Sequence, residues 1–189
     1  GIEATVRHRY GRETLEGLTV AIQGVGSVGY HLAGELNERG VDLVVTDVDE
    51  EAIERSIDEF GAEAVAPEAI FGVDCDIFAP CALGAVLNDE TIPQLECDIV
   101  AGSANNQLEA PKHDADLRED GILYAPDYLI NAGGLIYVAA FYAGNDIDQA
   151  SDKIDAIYEQ MLEIFERADT EGLPTQHVTD RIVEERLGL

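Results

Sequence analysis

The chain has 189 residues, long enough to bury one good core and suited to a single domain with a helical appendage. Apolar residues make up 46% and charged residues 26%, a balance that excludes intrinsic disorder and fits a folded chain. Acidic residues outnumber basic ones 39 to 11, for a formal net charge of −28, which excludes nucleic acid and anionic membrane surfaces as partners.

Residues 1–14 read as a short polar helix that enters from elsewhere. From Leu18 the pattern becomes strand, helix, strand, helix. Leu18-Thr-Val-Ala-Ile22 is a short β-branched run suited to a buried parallel strand. A helix is predicted over Ser27–Arg39, ended by Gly40. Asp42-Leu-Val-Val-Thr46 is the second strand, and the acidic stretch Asp49–Glu59 the next helix. Further strands are predicted at Cys75–Ala79, Asp98–Ala101 and Ile122–Tyr124, with a short polar helix at 112–119. From Ala132 the chain is mostly helical. Ile154, Ile157, Tyr158, Met161, Leu162 and Phe165 fall at helical spacing and form one buried stripe, and a last helix runs over Thr175–Leu187.

Strands alternating with helices predict an α/β fold of the Rossmann type: a doubly wound, mostly parallel sheet with helices on both faces and a C-terminal helical extension. The dinucleotide-binding unit is expected over 1–150, with 1–17 as the entering helix and 151–189 as C-terminal helices.

Gly24-Val-Gly-Ser-Val-Gly29 matches the glycine-rich pattern GxGxxG. The match gains its weight from context, because it follows a predicted strand and opens a helix. Gly24 permits the tight turn, Gly26 lets a diphosphate approach the backbone, and Gly29 lets the helix pack against the strand. The amides near Ser27 and Val28 would bind phosphate at the positive end of the helix. Asp47 stands eighteen residues past Gly29, at the end of the second strand, placed to accept hydrogen bonds from an adenosine ribose. No Arg or Lys lies between Asp47 and Glu54 to offset a 2′-phosphate, so NAD is favoured over NADP. The competing reading makes Asp47 a helix N-cap or a solvated acid.

Three further segments follow predicted strands at the edge where α/β folds bind ligands: Ala79-Pro-Cys-Ala-Leu-Gly84, Ala101-Gly-Ser-Ala-Asn-Asn-Gln107 and Ala125-Pro-Asp-Tyr-Leu-Ile-Asn-Ala-Gly-Gly134. Together with the glycine turn they resemble the cofactor domain of the Glu/Leu/Phe/Val dehydrogenases, most closely its leucine-specific members. The resemblance covers nearly the whole chain.

It implies a role for each matching position. Pro80, Cys81 and Ala82 would pass the adenosine side and the bridging ribose. Ala104 and Asn105 would contact the nicotinamide ribose, and Asn131 would hold the carboxamide and border the substrate. Hydride transfer needs no thiol nucleophile, so Cys81 matters for shape. In glutamate-specific relatives a Ser stands four residues after the paired glycines. Here Val138 takes that place, with Leu135 one turn earlier, and neither can hydrogen-bond a side-chain carboxylate. An apolar amino acid is the implied substrate. Where leucine-specific members resemble Gly-Gly-Val-Ile-Asn-Val-Ala-Asp, this chain reads Gly-Gly-Leu-Ile-Tyr-Val-Ala-Ala, so Tyr137 and Ala140 leave open which one. Gly29 stands where alanine is common, a difference expected to be harmless to the turn.

The implied activity is NAD-dependent oxidative deamination of a leucine-like L-amino acid to its 2-oxo acid and ammonia. The family's catalytic lysines and Asp lie on a separate substrate domain, expected before Gly1. No catalytic residue is therefore assigned here, and the chain alone is expected to bind NAD and turn over nothing. The parent is expected to be a homo-oligomer, and this chain a monomer or weak dimer. The alternative is a regulatory module that senses NAD or NADH. Such a module shares the glycine turn and the acid but needs neither Ser103–Asn106 nor Asn131–Gly134.

The remaining features predict setting rather than chemistry. The acids are spread along the whole chain, as in a protein kept soluble in concentrated salt, so a halophilic source is expected. Cys75, Cys81 and Cys97 lack a disulfide-rich spacing, which points to a reducing cytoplasm. No Cys/His cluster has metal-site spacing. His8, His31, His113 and His177 are read as structural or exposed, without carboxylate partners. The uncharged run Tyr128–Gly144 is too short and too interrupted for a membrane span, and no signal peptide opens the chain.

Overall fold

In the computed structural model, which describes residues 1–144 and 147–188, six parallel strands form one sheet. They are β1 (Thr19–Gln23), β2 (Asp42–Thr46), β3 (Glu63–Ala64), β4 (Cys75–Pro80), β5 (Cys97–Val100) and β6 (Leu123–Tyr124). Their spatial order is β3-β2-β1-β4-β5-β6. The chain builds outward from β1 to β3 on one side, then crosses back to lay β4 to β6 on the other. The crevice between the carboxyl ends of β1 and β4 is thus the topological switch point, where open α/β sheets bind ligands.

The central strands are buried on both faces, which explains their near-continuous apolar composition. One face carries Ile22, Val45, Ile77 and Ile99 under α1 (Ile2–Tyr10), α2 (Ser27–Glu38), α3 (Glu50–Phe60) and α7 (Ile147–Glu171). The other carries Phe78, Val100 and Tyr124, covered by Leu117 of α4 (Lys112–Glu119) and by Ile70, Leu87 and Ile92 from the connecting segments. Three C-terminal helices follow a one-turn α5 (Asp127–Ile130): α6 (Gly133–Tyr142), α7 and α8 (Thr175–Leu187).

The helix ends obey local chemistry. Asp49 caps α3, accepting the Glu51 N–H at 3.0 Å, and Gly61 closes it in the left-handed conformation. α2 ends one residue earlier than predicted, with Arg39 as its cap and Gly40 following at φ 74°. The short β3 escaped prediction because its two residues are exposed and carry no apolar alternation.

α1 is less polar than the sequence suggests. Ala4, Thr5 and Val6 are buried, and Tyr10 and Arg9 anchor the helix end to Asp98 of β5 at 2.8 and 2.7 Å. α7 begins at Ile147, before the division expected at 150, and its Ile157, Met161 and Phe165 complete the core over α1 and the sheet. No helix among the described residues is long and apolar enough to cross a membrane.

Candidate functional site

All strands run parallel, so every loop after a strand emerges at the same edge, and the four sequence motifs meet there. The glycine turn lies at its centre. Gly24 has φ 97°, and a Cβ on it would come within 2.7 Å of the Ala82 side chain, so two motif loops touch at this residue. A Cβ on Gly26 would meet nothing within 4 Å, the open space a bound diphosphate requires. Gly29 is the tightest of the three: its Cβ would sit 1.9 Å from the Gly24 carbonyl oxygen. The glycine is thus compatible with the turn, as expected, and an alanine would fit here only if the turn moved. Gly26 is the N-cap of α2 and supplies no side chain to it. The first-turn amides of Ser27 and Val28, both exposed, are therefore left without an intrahelical partner and face the crevice edge.

Asp47 directly follows β2 beside this turn and is half-buried. Its Oδ2 accepts the Val25 N–H at 2.7 Å, and its Oδ1 accepts the Val48 and Asp49 N–H groups at 2.7 and 3.0 Å. It is neither a helix N-cap, which is Asp49, nor a loosely solvated acid. It pins the glycine turn to β2. A carboxylate offers about four acceptor positions, so capacity remains for a ligand hydroxyl. The nearest downstream cation, Arg55, stacks 3.6 Å over the Tyr30 ring.

The Pro80–Ala82 loop is fixed by the Cys81 N–H donating to the Gln23 carbonyl at 2.8 Å. Burial pushes the Cys81 thiol up, against hydrogen bonds from Ser103 that lower it, so the group stays a neutral spacer. Gly84 and Gly102 allow close approach on the far side, since Cβ atoms there would meet Asn105 O at 2.6 Å and Pro80 O at 2.2 Å. Ala104 is buried, and both its backbone groups are committed: the N–H donates to Pro80 O at 2.9 Å and the carbonyl accepts from Gln107 Nε2 at 3.0 Å. It can line a ligand by shape alone. Asn131 Nδ2 donates to Asn105 Oδ1 at 2.7 Å, bringing together two side chains assigned to the same end of a ligand.

Two residues of this edge carry no signal of their own in the sequence. Gln107 is fully buried and donates through Nε2 to the carbonyls of Gly102 and Ala104, while its own N–H donates to Asp127 Oδ2 at 2.8 Å. Asp127 is buried at the first residue of α5. Each lies inside a quoted motif, and their contact across twenty residues is what the sequence does not display.

Leu135 and Val138 lie on α6 and are 74% and 48% exposed. They do not pack the core, so they are available as a ligand wall. Two histidines differ from expectation in having carboxylate partners. His8 Nε2 lies 3.0 Å from Asp169, and His113 Nε2 lies 3.2 Å from Asp89. His113, Asp89 and Asp116 gather within 4.8 Å, yet the chemistry argues against a metal there. The Ala110 N–H donates to His113 Nδ1 at 3.0 Å, which makes Nε2 the protonated nitrogen and the donor to Asp89. A cation at Nε2 would need that lone pair, and Lys112 already pairs with Asp89. Cys75 and Cys97 are register partners on β4 and β5, and burial pushes both thiols up to about 12.

With this geometry in hand the chain can be set beside known proteins. The sequence profile described as Glutamate/Leucine/Phenylalanine/Valine dehydrogenase matches residues 43–178. The chain belongs to that family. It is 49% identical over 187 residues to a leucine dehydrogenase of Geobacillus stearothermophilus, covering 99% of this chain and 51% of that protein. It is 46% identical over 191 residues to a valine dehydrogenase of Streptomyces albus, covering 99% and 52%. The crystal structure of L-tryptophan dehydrogenase from Nostoc punctiforme superimposes with a TM-score of 0.96 at 46% identity, over all of this chain and 57% of that one. A hetero-hexameric glutamate dehydrogenase from Thermus thermophilus shares the fold, with a TM-score of 0.75 at 23% identity over 98% of this chain and 49% of that one. The chain spans about half the length of the curated relatives it matches.

Proposed function

We propose that this chain is the NAD-binding half of a dehydrogenase that converts an apolar L-amino acid, NAD⁺ and water to the 2-oxo acid, ammonia, NADH and a proton. The observation that carries the reading is the glycine turn held to Asp47 at the switch point, with the Asn105–Asn131 pair across the same edge. Ser27 and Val28 would hold the diphosphate through their amides at the start of α2. Asp47 would accept the adenosine ribose hydroxyls and repel a 2′-phosphate. Pro80, Cys81 and Ala82 would flank the adenosine side by shape. Asn131, oriented by Asn105, would hold the carboxamide. When bound, NAD supplies the hydride acceptor.

Leu135 and Val138 present only carbon to a substrate side chain, which favours an aliphatic or aromatic amino acid over glutamate. The dehydrogenases it resembles are named for leucine, valine and tryptophan, and the class common to them is the one we assign. The base that takes the amino-group proton would come from a substrate domain beyond this chain, so the chain alone would bind NAD without turnover, and the parent would be oligomeric. The net charge of −28 and three free thiols support a salt-adapted source and a reducing cytoplasmic setting.

Calorimetric titration with NAD and NADP in concentrated potassium chloride tests the assignment, using wild type and Asp47→Asn. The amide oxygen can replace only one of the two carboxylate oxygens that hold the turn, so melting curves of the variant check that the turn survives the loss of charge. Wild type should bind NAD at least about tenfold tighter than NADP, a charge-assisted contact of about 1.5 kcal/mol, and the variant should lose most of that preference. Equal affinity of wild type for both cofactors, or for neither, would overturn the reading.

A further inference from the structure

The two motif loops at the nicotinamide end are joined at two levels. At the rim, Asn131 Nδ2 reaches Asn105 Oδ1 at 2.7 Å. Beneath it, the Asp127 carboxylate accepts the Gln107 N–H at 2.8 Å, and the Gln107 side chain spans back to the carbonyls of Gly102 and Ala104 at 2.9 and 3.0 Å. Gln107 is 0% and Asp127 7% exposed, so neither touches a ligand. Both are costly to bury: a carboxylate and a primary amide lose water and regain only these bonds. Gln107 Oε1 is left without a partner among the described residues. A segment that only had to close a loop would not need an amide there.

What the pair controls is the path of Gly102–Asn106. Its Nε2 bonds gather the carbonyls on either side of Ser103, and the segment ends at Asn106 with φ 52°, a left-handed conformation that needs support from its surroundings. The Asp127 end of the same link sits one turn before Asn131, whose N–H donates to Asp127 O at 3.0 Å. Moving Asp127 therefore moves Asn131, and moving Gln107 moves Asn105.

We propose that Asp127 and Gln107 are positioning residues, a buried carboxylate–amide clamp that sets the spacing of Asn105 and Asn131 and so the grip on the nicotinamide half of the cofactor. This rests on the NAD reading of the site. The clamp lies under one half of the crevice only, since the glycine turn and Asp47 on the adenosine side share no hydrogen bond with it among the described residues.

The test compares NAD with ADP, which keeps the adenosine and diphosphate but lacks both the second ribose and the nicotinamide. Both are titrated into the full chain carrying Asp127→Ala, Asp127→Asn or Gln107→Met, with melting curves as a check on folding. Asp127→Ala and Gln107→Met should weaken NAD about tenfold and leave ADP within about twofold of wild type. Asp127→Asn keeps an oxygen that accepts the Gln107 N–H and should restore most of the NAD affinity. Parallel loss of both ligands, or no loss of either, would overturn the clamp while leaving the cofactor assignment intact. Failure of wild type to bind either ligand would overturn the cofactor assignment, and the clamp with it.

Discussion

Gly29 occupies the tightest point of the glycine turn, buried where α2 begins. The residue is helical and its backbone needs no left-handed freedom, so conformation alone would admit alanine. Space decides otherwise: the missing Cβ would sit 1.9 Å from Gly24 O and 3.3 Å from the Cys81 Cβ. Neither neighbour is a flexible chain end, so the turn itself must open. Overpacking of this kind costs roughly 1–3 kcal/mol. Gly29→Ala should lower the melting temperature and weaken NAD binding together, whereas Gly72→Ala, with open space around it, should change neither. A variant at 29 that melts and binds like wild type would show the turn to be softer than argued. The same contrast marks what could be read at this scale. Asp47 is legible as a candidate from its place after β2, but its grip on Val25 is not, since hydrogen bonds between motifs leave no periodic trace. The Gln107–Asp127 contact and the carboxylates beside His8 and His113 are hidden from the sequence for the same reason.

Elements were easier to read than residues. β1, β2, β4 and β5 announce themselves through β-branched runs, and the apolar stripe of α7 through its spacing, because burial on a fixed period is imposed by the backbone. What joins elements far apart in sequence is hidden, and α8 is the clearest case. Pro174 gives it no side-chain cap. Asp114, on α4, supplies the missing acceptor, taking the His177 N–H at 3.2 Å across the packed interface. Asp114 is 4% exposed, and burial pushes its carboxyl up from 3.8 to about 6, with the Asp180 charge adding to the rise and the α8 amides opposing it. A folded-state value above the unfolded one means that the group stabilises the fold below about pH 4. That contribution fades as pH rises through about 6, by up to about 3 kcal/mol. Asp114→Asn keeps an acceptor for the His177 N–H and removes the titration. Its melting temperature relative to wild type should therefore climb between pH 4 and pH 7 and level off above. A constant difference across that range would mean that Asp114 is already ionised at no cost.

Across the whole molecule one quantity dominates, the charge of −28 carried by 189 residues. The few cations are mostly spent locally: Arg167 bridges Glu171 and Glu185, Arg39 holds Glu3 and Glu35, and Arg9 holds Asp98. These exposed pairs tie α7 to α8 and α1 to α2 and β5, but each is worth at most about 1 kcal/mol and weakens with salt. The uncompensated acids repel one another over the full surface, and that repulsion is released on unfolding, where the charges move apart. Salt therefore acts in two directions, weakening the pairs and relieving the excess. With so many more acids than bases the second effect must win. The Debye length falls from about 10 Å at 0.1 M to about 3 Å at 1 M, so screening alone should deliver most of its stabilisation within that interval. The urea midpoint of the protein should rise steeply between 0.1 and 1 M potassium chloride. Any further rise toward saturated salt would measure specific hydration of the acidic surface, which screening cannot supply. Replacing ten exposed acids by their amides should flatten the first part of that curve, because it removes repulsion without touching the core. A midpoint independent of salt from 0.1 M upward would remove the case for salt adaptation while leaving the fold and the cofactor crevice as described.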